Sequence, residues 1–247
     1  MKTFGKMLKI EGKLSIRDMN MVIFAILMPV IVLVILGVVY GNKPAFAGAK
    51  YSFLEQSFGG ISSIAICAGG LMGLPLMISE YRERKILKRF QVTPVSPGMI
   101  LGVHLCIYTL YSLVSVVILW AMAKLFWNFT MHGSPILFFA GWLFVLLSIF
   151  SIGMLVGGIA KNSKTASIIA SVLYFPMLVF SGATLPYEVM PDTMQKVVAV
   201  FPLTQGIKIL KAETLGQSVH NITMSVLLLA VMAVACIGIS VKCFKWE

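Results

Sequence analysis

Residues 57–97 read SFGGISSIAICAGGLMGLPLMIS and then, without a break, EYRERKILKRFQVTPVSP. The first part, 57–79, is 23 residues without Asp, Glu, Lys or Arg. As a helix rising about 1.5 Å per residue, it is long enough to cross the roughly 30 Å of bilayer hydrocarbon. The second part, 80–97, is dense in charge and ends in two prolines, so the chain leaves the membrane there.

Five further uncharged runs repeat the pattern: 21–40, 97–123, 135–160, 165–185 and 222–241. Their apolar residues are continuous instead of alternating at period two, which selects helices over a transmembrane barrel. The 247 residues are 59% hydrophobic and 12% charged, a balance that a water-soluble fold could not bury. The expectation is an all-α membrane protein of six transmembrane helices forming one domain over 1–247.

The formal charge of +11 would suggest nucleic acid as a partner in a soluble chain. Beside apolar spans the same charge faces anionic lipid headgroups, and no nucleic-acid ligand is needed. Lys and Arg are divided unevenly between the spans: 14 fall in 1–20, 80–96, 161–164 and the tail, and 6 on the other side. The positive-inside rule then places both termini in the cytoplasm. Residues 1–18 are basic and broken by charge, unlike a cleavable signal. Cys67, Cys106, Cys236 and Cys243 show neither CxxC nor a metal spacing and read as packing residues.

The segment 80–94 has the features of a short amphipathic helix. Glu80 and Glu83 stand in its first turn and Lys88 and Arg89 in its last, as the helix dipole prefers, and Glu80 can pair with Arg84. Ile86, Leu87 and Phe90 form an apolar stripe that suits either the membrane surface or a partner's groove, against the plainer alternative of a solvated loop. In the N-terminal arm, Phe4, Met7, Leu8 and Leu14 alternate with Lys6, Lys9 and Lys13, the pattern of an interfacial helix at 1–18 or of a positive-inside anchor. On the opposite side, 186–214 is too polar and proline-broken to span and reads as a re-entrant or surface segment. SGATLP at 181–186 bends the outer end of the fifth span.

Small residues recur at one-turn spacing in Gly69/Gly73, Gly153/Gly157, Ala166/Ala170 and Ser167/Ser171, fitting close helix packing within the chain or at a subunit interface. No span carries Asp, Glu, Lys or Arg in its interior, which weighs against an ion-coupled carrier. His104, His132 and His220 are isolated, with no HExxH, GxSxG or paired carboxylate, so an enzyme of these classes is not expected. No GxxxxGK[ST] loop occurs, and any ATP must be bound by another chain.

Four segments in register with the spans resemble the type-2 permeases of ABC transporters: EYRERKILKRFQVTPVSP at 80–97, FSGATLPYEVMP at 180–191, FPLTQGIKILK at 201–211 and FKWE at 244–247. The resemblance implies an elbow helix at 1–18, a coupling helix at 80–94 and re-entrant helices in 186–214. It also implies two permeases, identical or homologous, working with separate nucleotide-binding ABC ATPase subunits that bind ATP and Mg, with no cofactor on this chain. It implies a bacterial cell membrane as the location. The family's usual glycine in the E-R-E-x-G-T-L run is Lys85 here, with Ile86 for threonine, so better helical continuity is expected through this point.

The residues expected to couple to the ATPase are Glu80, Arg82, Glu83, Arg84, Leu87, Lys88, Arg89 and Phe90. Ser171, Tyr174, Phe175 and Met177 are candidates for a substrate pathway, and Ser181, Gly182, Pro186 and Pro202 for an outer gate. A pathway with these apolar, aromatic and small polar side chains suits a lipophilic or amphipathic substrate such as a drug, antibiotic, peptide or lipid. The alternatives are a non-transporting membrane scaffold or assembly subunit, then a secondary carrier or channel. A co-purifying ATPase separates them.

Overall fold

In the computed structural model, which describes all residues except 1, 18, 47, 87–95, 185–186, 188–189, 218–221 and 244–247, the chain is all-helical, with no strand among the described residues. Helix α1 (Lys2–Ser15) is amphipathic; Met7 is buried, and Phe4 and Leu8 pack beside it against Ile100, Val103 and Ile107. Helix α2 runs over 19–39 as Met19–Val22, a π-helical turn Ile23–Leu27, and Met28–Val39. Helix α3, Phe53–Glu83, contains a second π-helical turn at Ala68–Gly73.

Both wide turns have the same cause. Pro29 and Pro75 each stand two residues beyond one. A proline in a helix offers no N–H and presses its ring on the carbonyl four residues back, and a π-turn reroutes the ladder around that position.

Helix α3 is the central element, with every residue of Phe53–Cys67 buried. It starts in a reciprocal capping box: the Glu55 N–H donates to Ser52 Oγ (3.2 Å), and the Ser52 N–H donates to Glu55 Oε2 (2.7 Å). Around it stand α4 (Pro97–Trp127), α5 (Pro135–Ile159), α6 (Ser163–Phe180), α7 (Asp192–Val198), α8 (Pro202–Leu215) and α9 (Thr223–Cys243).

Five of these helices, α3, α4, α5, α6 and α9, are long and apolar enough to cross a membrane. The first apolar run forms a shorter helix over Ile23–Val39, with one further turn before it. Large apolar side chains such as Val172 on α6 and Val231 and Val234 on α9 remain exposed on the flanks, as lipid-facing helices require.

The fifth apolar run ends earlier than its composition allows. Helix α6 stops at Phe180, and Gly182 turns the chain at φ +97°, a conformation that favours glycine. Thr184 Oγ1 donates back to the carbonyls of Leu178 (3.1 Å) and Val179 (3.4 Å), meeting acceptors that the finished helix leaves open.

The small-residue pairs close seams inside the chain. A Cβ at Gly153 of α5 would collide with the Gly70 carbonyl oxygen of α3, and one at Gly157 would lie 2.9 Å from Ile78 and 3.2 Å from Pro75. Ala166 and Ala170 are fully buried on α6. Helix α8 lies against α3 as closely, since a Cβ at Gly59 would stand 2.8 Å from the Lys211 backbone nitrogen. Contacts this short leave room for hydrogen only, so dispersion is gained along backbone as well as side chains.

Candidate functional site

The last turn of α3 gathers several specific polar contacts. Tyr81, Arg82 and Glu83 are consecutive, and about 100° of helical rotation between neighbours sends each toward a different element. Tyr81 donates its hydroxyl to Glu11 Oε2 of α1 at 2.9 Å. The same carboxylate oxygen lies 3.6 Å from His104 Nε2 of α4, and the His104 and Tyr81 rings meet edge to face at 5.3 Å. His104 Nδ1 is 3.1 Å from the Ile100 carbonyl, which can only accept, so the proton sits on Nδ1. The expected packing role of His104 is thus joined to a polar one.

Arg82 is buried and turns toward the end of α5, where Nη1 donates to the Ala160 carbonyl and Nη2 to the Gly158 carbonyl (3.4 Å). Glu83 turns toward the start of α6, its Oε2 accepting from the Ser163 N–H (3.0 Å) and the Ser163 hydroxyl (2.6 Å). The signs match the helix ends: a cation meets the carbonyl end of α5, and a carboxylate meets the amide end of α6. Two adjacent residues of one helix therefore clamp both ends of the α5–α6 turn. Asn162 completes that turn by accepting the Thr165 N–H at 2.8 Å.

Beyond this clamp α3 stops. Arg84 is exposed and pairs with Glu80 at 2.8 Å, as the i, i+4 spacing predicts. Lys85 adopts a left-handed backbone, φ +55°. This corrects the expectation of better helical continuity. The Arg82 and Glu83 contacts hold the chain just before the turn, and Lys85 adopts the conformation that a glycine would take more easily. Leu87, Lys88, Arg89 and Phe90 lie outside the described residues, as does most of the expected coupling helix.

Tyr174 and Met177 are buried on the inner face of α6, Ser171 is half-buried, and Phe175 faces outward. Of the outer-gate candidates, Ser181 and Gly182 line a cavity together with residues of α8, and Pro202 is the buried first residue of α8. Pro186 lies outside the described residues. The interval 186–214 holds α7 and α8, and α8 is largely buried between α3, α5 and α9.

Two carboxylates that the fold covers escaped the sequence reading, Glu55 being buried and Glu213 half-buried. Glu55 accepts from the Thr130 hydroxyl (2.6 Å) and the Thr130 N–H (3.2 Å) and lies 3.4 Å from His132 Nε2. The Ser52-x-x-Glu55 pattern is a legible capping signal that would have found it. Glu213 of α8 rests its carboxylate on Gly141 of α5, with Oε2 buried and unpartnered, and burial pushes its carboxyl up to about 7. Nothing local in the sequence marks it, because only the docking of α8 on α5 covers it.

Residues 3–215 match the family described as ABC-2 type transporter. The chain belongs to the ABC-2 type transporter family. It is 26% identical to Nodulation protein J of Neorhizobium galegae over 193 residues, 76% of this chain and 70% of that protein. It is also 26% identical to Nodulation protein J of Rhizobium leguminosarum bv. viciae over 108 residues, 44% of this chain and 40% of that protein. With the inner membrane transport permease YhhJ of Escherichia coli (strain K12) it shares 28% over 160 residues, 63% of this chain and 42% of that protein. The chain spans 40% to 70% of the length of these relatives. Membership, together with the five long apolar helices, makes this chain a multi-pass membrane permease of the ABC-2 type.

Proposed function

We propose that this ABC-2 permease forms the membrane pathway of an exporter, moving a lipophilic or amphipathic substrate out of the cytoplasm or the inner leaflet. Two permeases, identical or homologous, work with two separate ATPase subunits, and both termini face the cytoplasm. The carrying observation is the clamp at the end of α3. A push delivered to 84–94 by the ATPase reaches α1 through Tyr81, α5 through Arg82 and α6 through Glu83, so four helices move as a unit. In this scheme Arg84, Leu87, Lys88, Arg89 and Phe90 contact the partner. Arg82 and Glu83, whose side chains are occupied within the chain, transmit the motion.

Co-purification with the ATPase subunit and substrate-stimulated ATP hydrolysis in proteoliposomes separate the two roles. The pair R84E/K88E should lose ATPase association. Glu83→Ala should keep association but lose stimulation by substrate, because the α6 end is no longer held. Full association and transport in R84E/K88E would refute docking at this segment.

A further inference from the structure

Beside the Glu11–Tyr81 contact, on another face of the same helix, α1, α2 and α4 bound an open groove of about 350 Å³. Leu8 and Gly12 of α1 and Ile16 just beyond it form one wall, and Ile26 of α2 with Leu110 and Val114 of α4 form the others. The walls can be reached from outside, since Ile16, Leu110 and Val114 are 66%, 50% and 46% exposed. Gly12 keeps the groove open, because a Cβ there would meet nothing within 4 Å. From Ile107 to Val114 the groove follows α4 for about 10 Å at a rise of roughly 1.5 Å per residue, into the apolar depth of that span.

The α1 end of the groove is rimmed by positive charge. About 100° of helical rotation per residue sets Lys9 and Lys13 along the edge of the Leu8, Gly12 and Ile16 stripe, on the side away from Glu11. Both are exposed, and neither makes an ion pair among the described residues. We infer that the groove binds an anionic phospholipid, one acyl chain lying along α4 and the phosphate meeting Lys9 and Lys13. An apolar trough with cations at one end complements a molecule with a tail and an anionic head, and each basic residue near the headgroup adds to its retention. The same charge disfavours a second copy of the chain as the occupant: a symmetric contact through this face would set basic arm against basic arm, in a chain of net charge +11. Gly12 adjoins Glu11, whose carboxylate accepts from Tyr81, so the lipid and the clamp engage one helix. Placing the lipid in the inner leaflet rests on the orientation proposed above.

The test is thermal unfolding of the full-length chain, purified and delipidated in a neutral detergent, with added dioleoyl phosphatidylglycerol. Dioleoyl phosphatidylcholine supplies the same tails without net charge, and glycerol phosphate supplies the charge without tails. Phosphatidylglycerol should raise the midpoint in a saturable way and the comparators should not. Lys9→Gln and Lys13→Gln should each weaken its apparent affinity about fivefold, the worth of one basic side chain at an anionic surface. Lys161→Gln, exposed on the α5–α6 turn, should leave the affinity unchanged. Gly12→Leu should abolish protection by filling the groove. With open space around its Cβ and a better helix former in place of glycine, it should fold at least as well as the unsubstituted chain in the absence of lipid. Should Gly12→Leu fail to fold, the lysine series decides alone. Equal protection by phosphatidylcholine, undiminished affinity in Gly12→Leu, or equal losses in the Lys9 and Lys161 variants would overturn the site. Neither an ATPase nor an orientation enters this assay, so failure here leaves the clamp untouched, and failure of R84E/K88E leaves this site untouched.

Discussion

Replacement of Lys85 by glycine distinguishes a left-handed turn from a continuous helix by the sign of its effect. Lys85 is exposed, and its φ of +55° brings Cβ close to the following carbonyl oxygen. That conformation costs a non-glycine residue about 1–2 kcal/mol. Glycine relieves it but adds unfolded-state entropy, which subtracts roughly 0.4–1 kcal/mol. The net expectation for Lys85→Gly is a gain of about 0.5–1 kcal/mol, and for a chain of this size that raises the unfolding midpoint by roughly 1–4 °C. Were 80–90 one continuous helix, the same change would cost about 1 kcal/mol through helix propensity. Lys85→Ala is the control: it keeps Cβ, so it should leave stability close to the starting value in the turn. Thermal unfolding of the purified protein followed by circular dichroism reads all three. A midpoint that falls in Lys85→Gly, or equal shifts for glycine and alanine, would refute the backbone argument.

Two further outcomes follow from packing and titration. Gly153→Ala sets a methyl against the Gly70 carbonyl oxygen, a backbone atom that cannot swing aside, so a loss of about 1–3 kcal/mol is expected. The control Gly98→Ala, which meets nothing within 4 Å, should be neutral or slightly stabilising in the same unfolding assay. Glu213 is raised from 4.5 to about 7, so the folded chain holds this proton more tightly than the unfolded chain does. Its contribution to stability is therefore intact below about pH 4.5, declines as pH rises toward 7, and levels off above that. Glu213→Gln should flatten this portion of the stability profile; an identical slope in the variant would show that another group titrates there.

The apolar runs alone determined that this chain is helical and membrane-embedded, because twenty uncharged residues have no other way to satisfy their backbone in hydrocarbon. The Gly153/Gly157 and Ala166/Ala170 spacings announced close packing for an equally local reason, since one-turn repetition lays small residues along one helix face. The family segments were legible on the same footing.

Partner choice was not legible. That Tyr81, Arg82 and Glu83 reach α1, α5 and α6 depends on which helix ends surround the end of α3, and the sequence had assigned Arg82 and Glu83 to the ATPase partner instead. Lys85 turned left-handed against its own propensity because the contacts on its N-terminal side stop the helix there. Glu213 owes its covering to the docking of α8 on α5. Local free energies of a few tenths of a kcal/mol per residue set where helices form. Desolvation and charge at the contacts, worth several times more, decide what each side chain does once the helices meet.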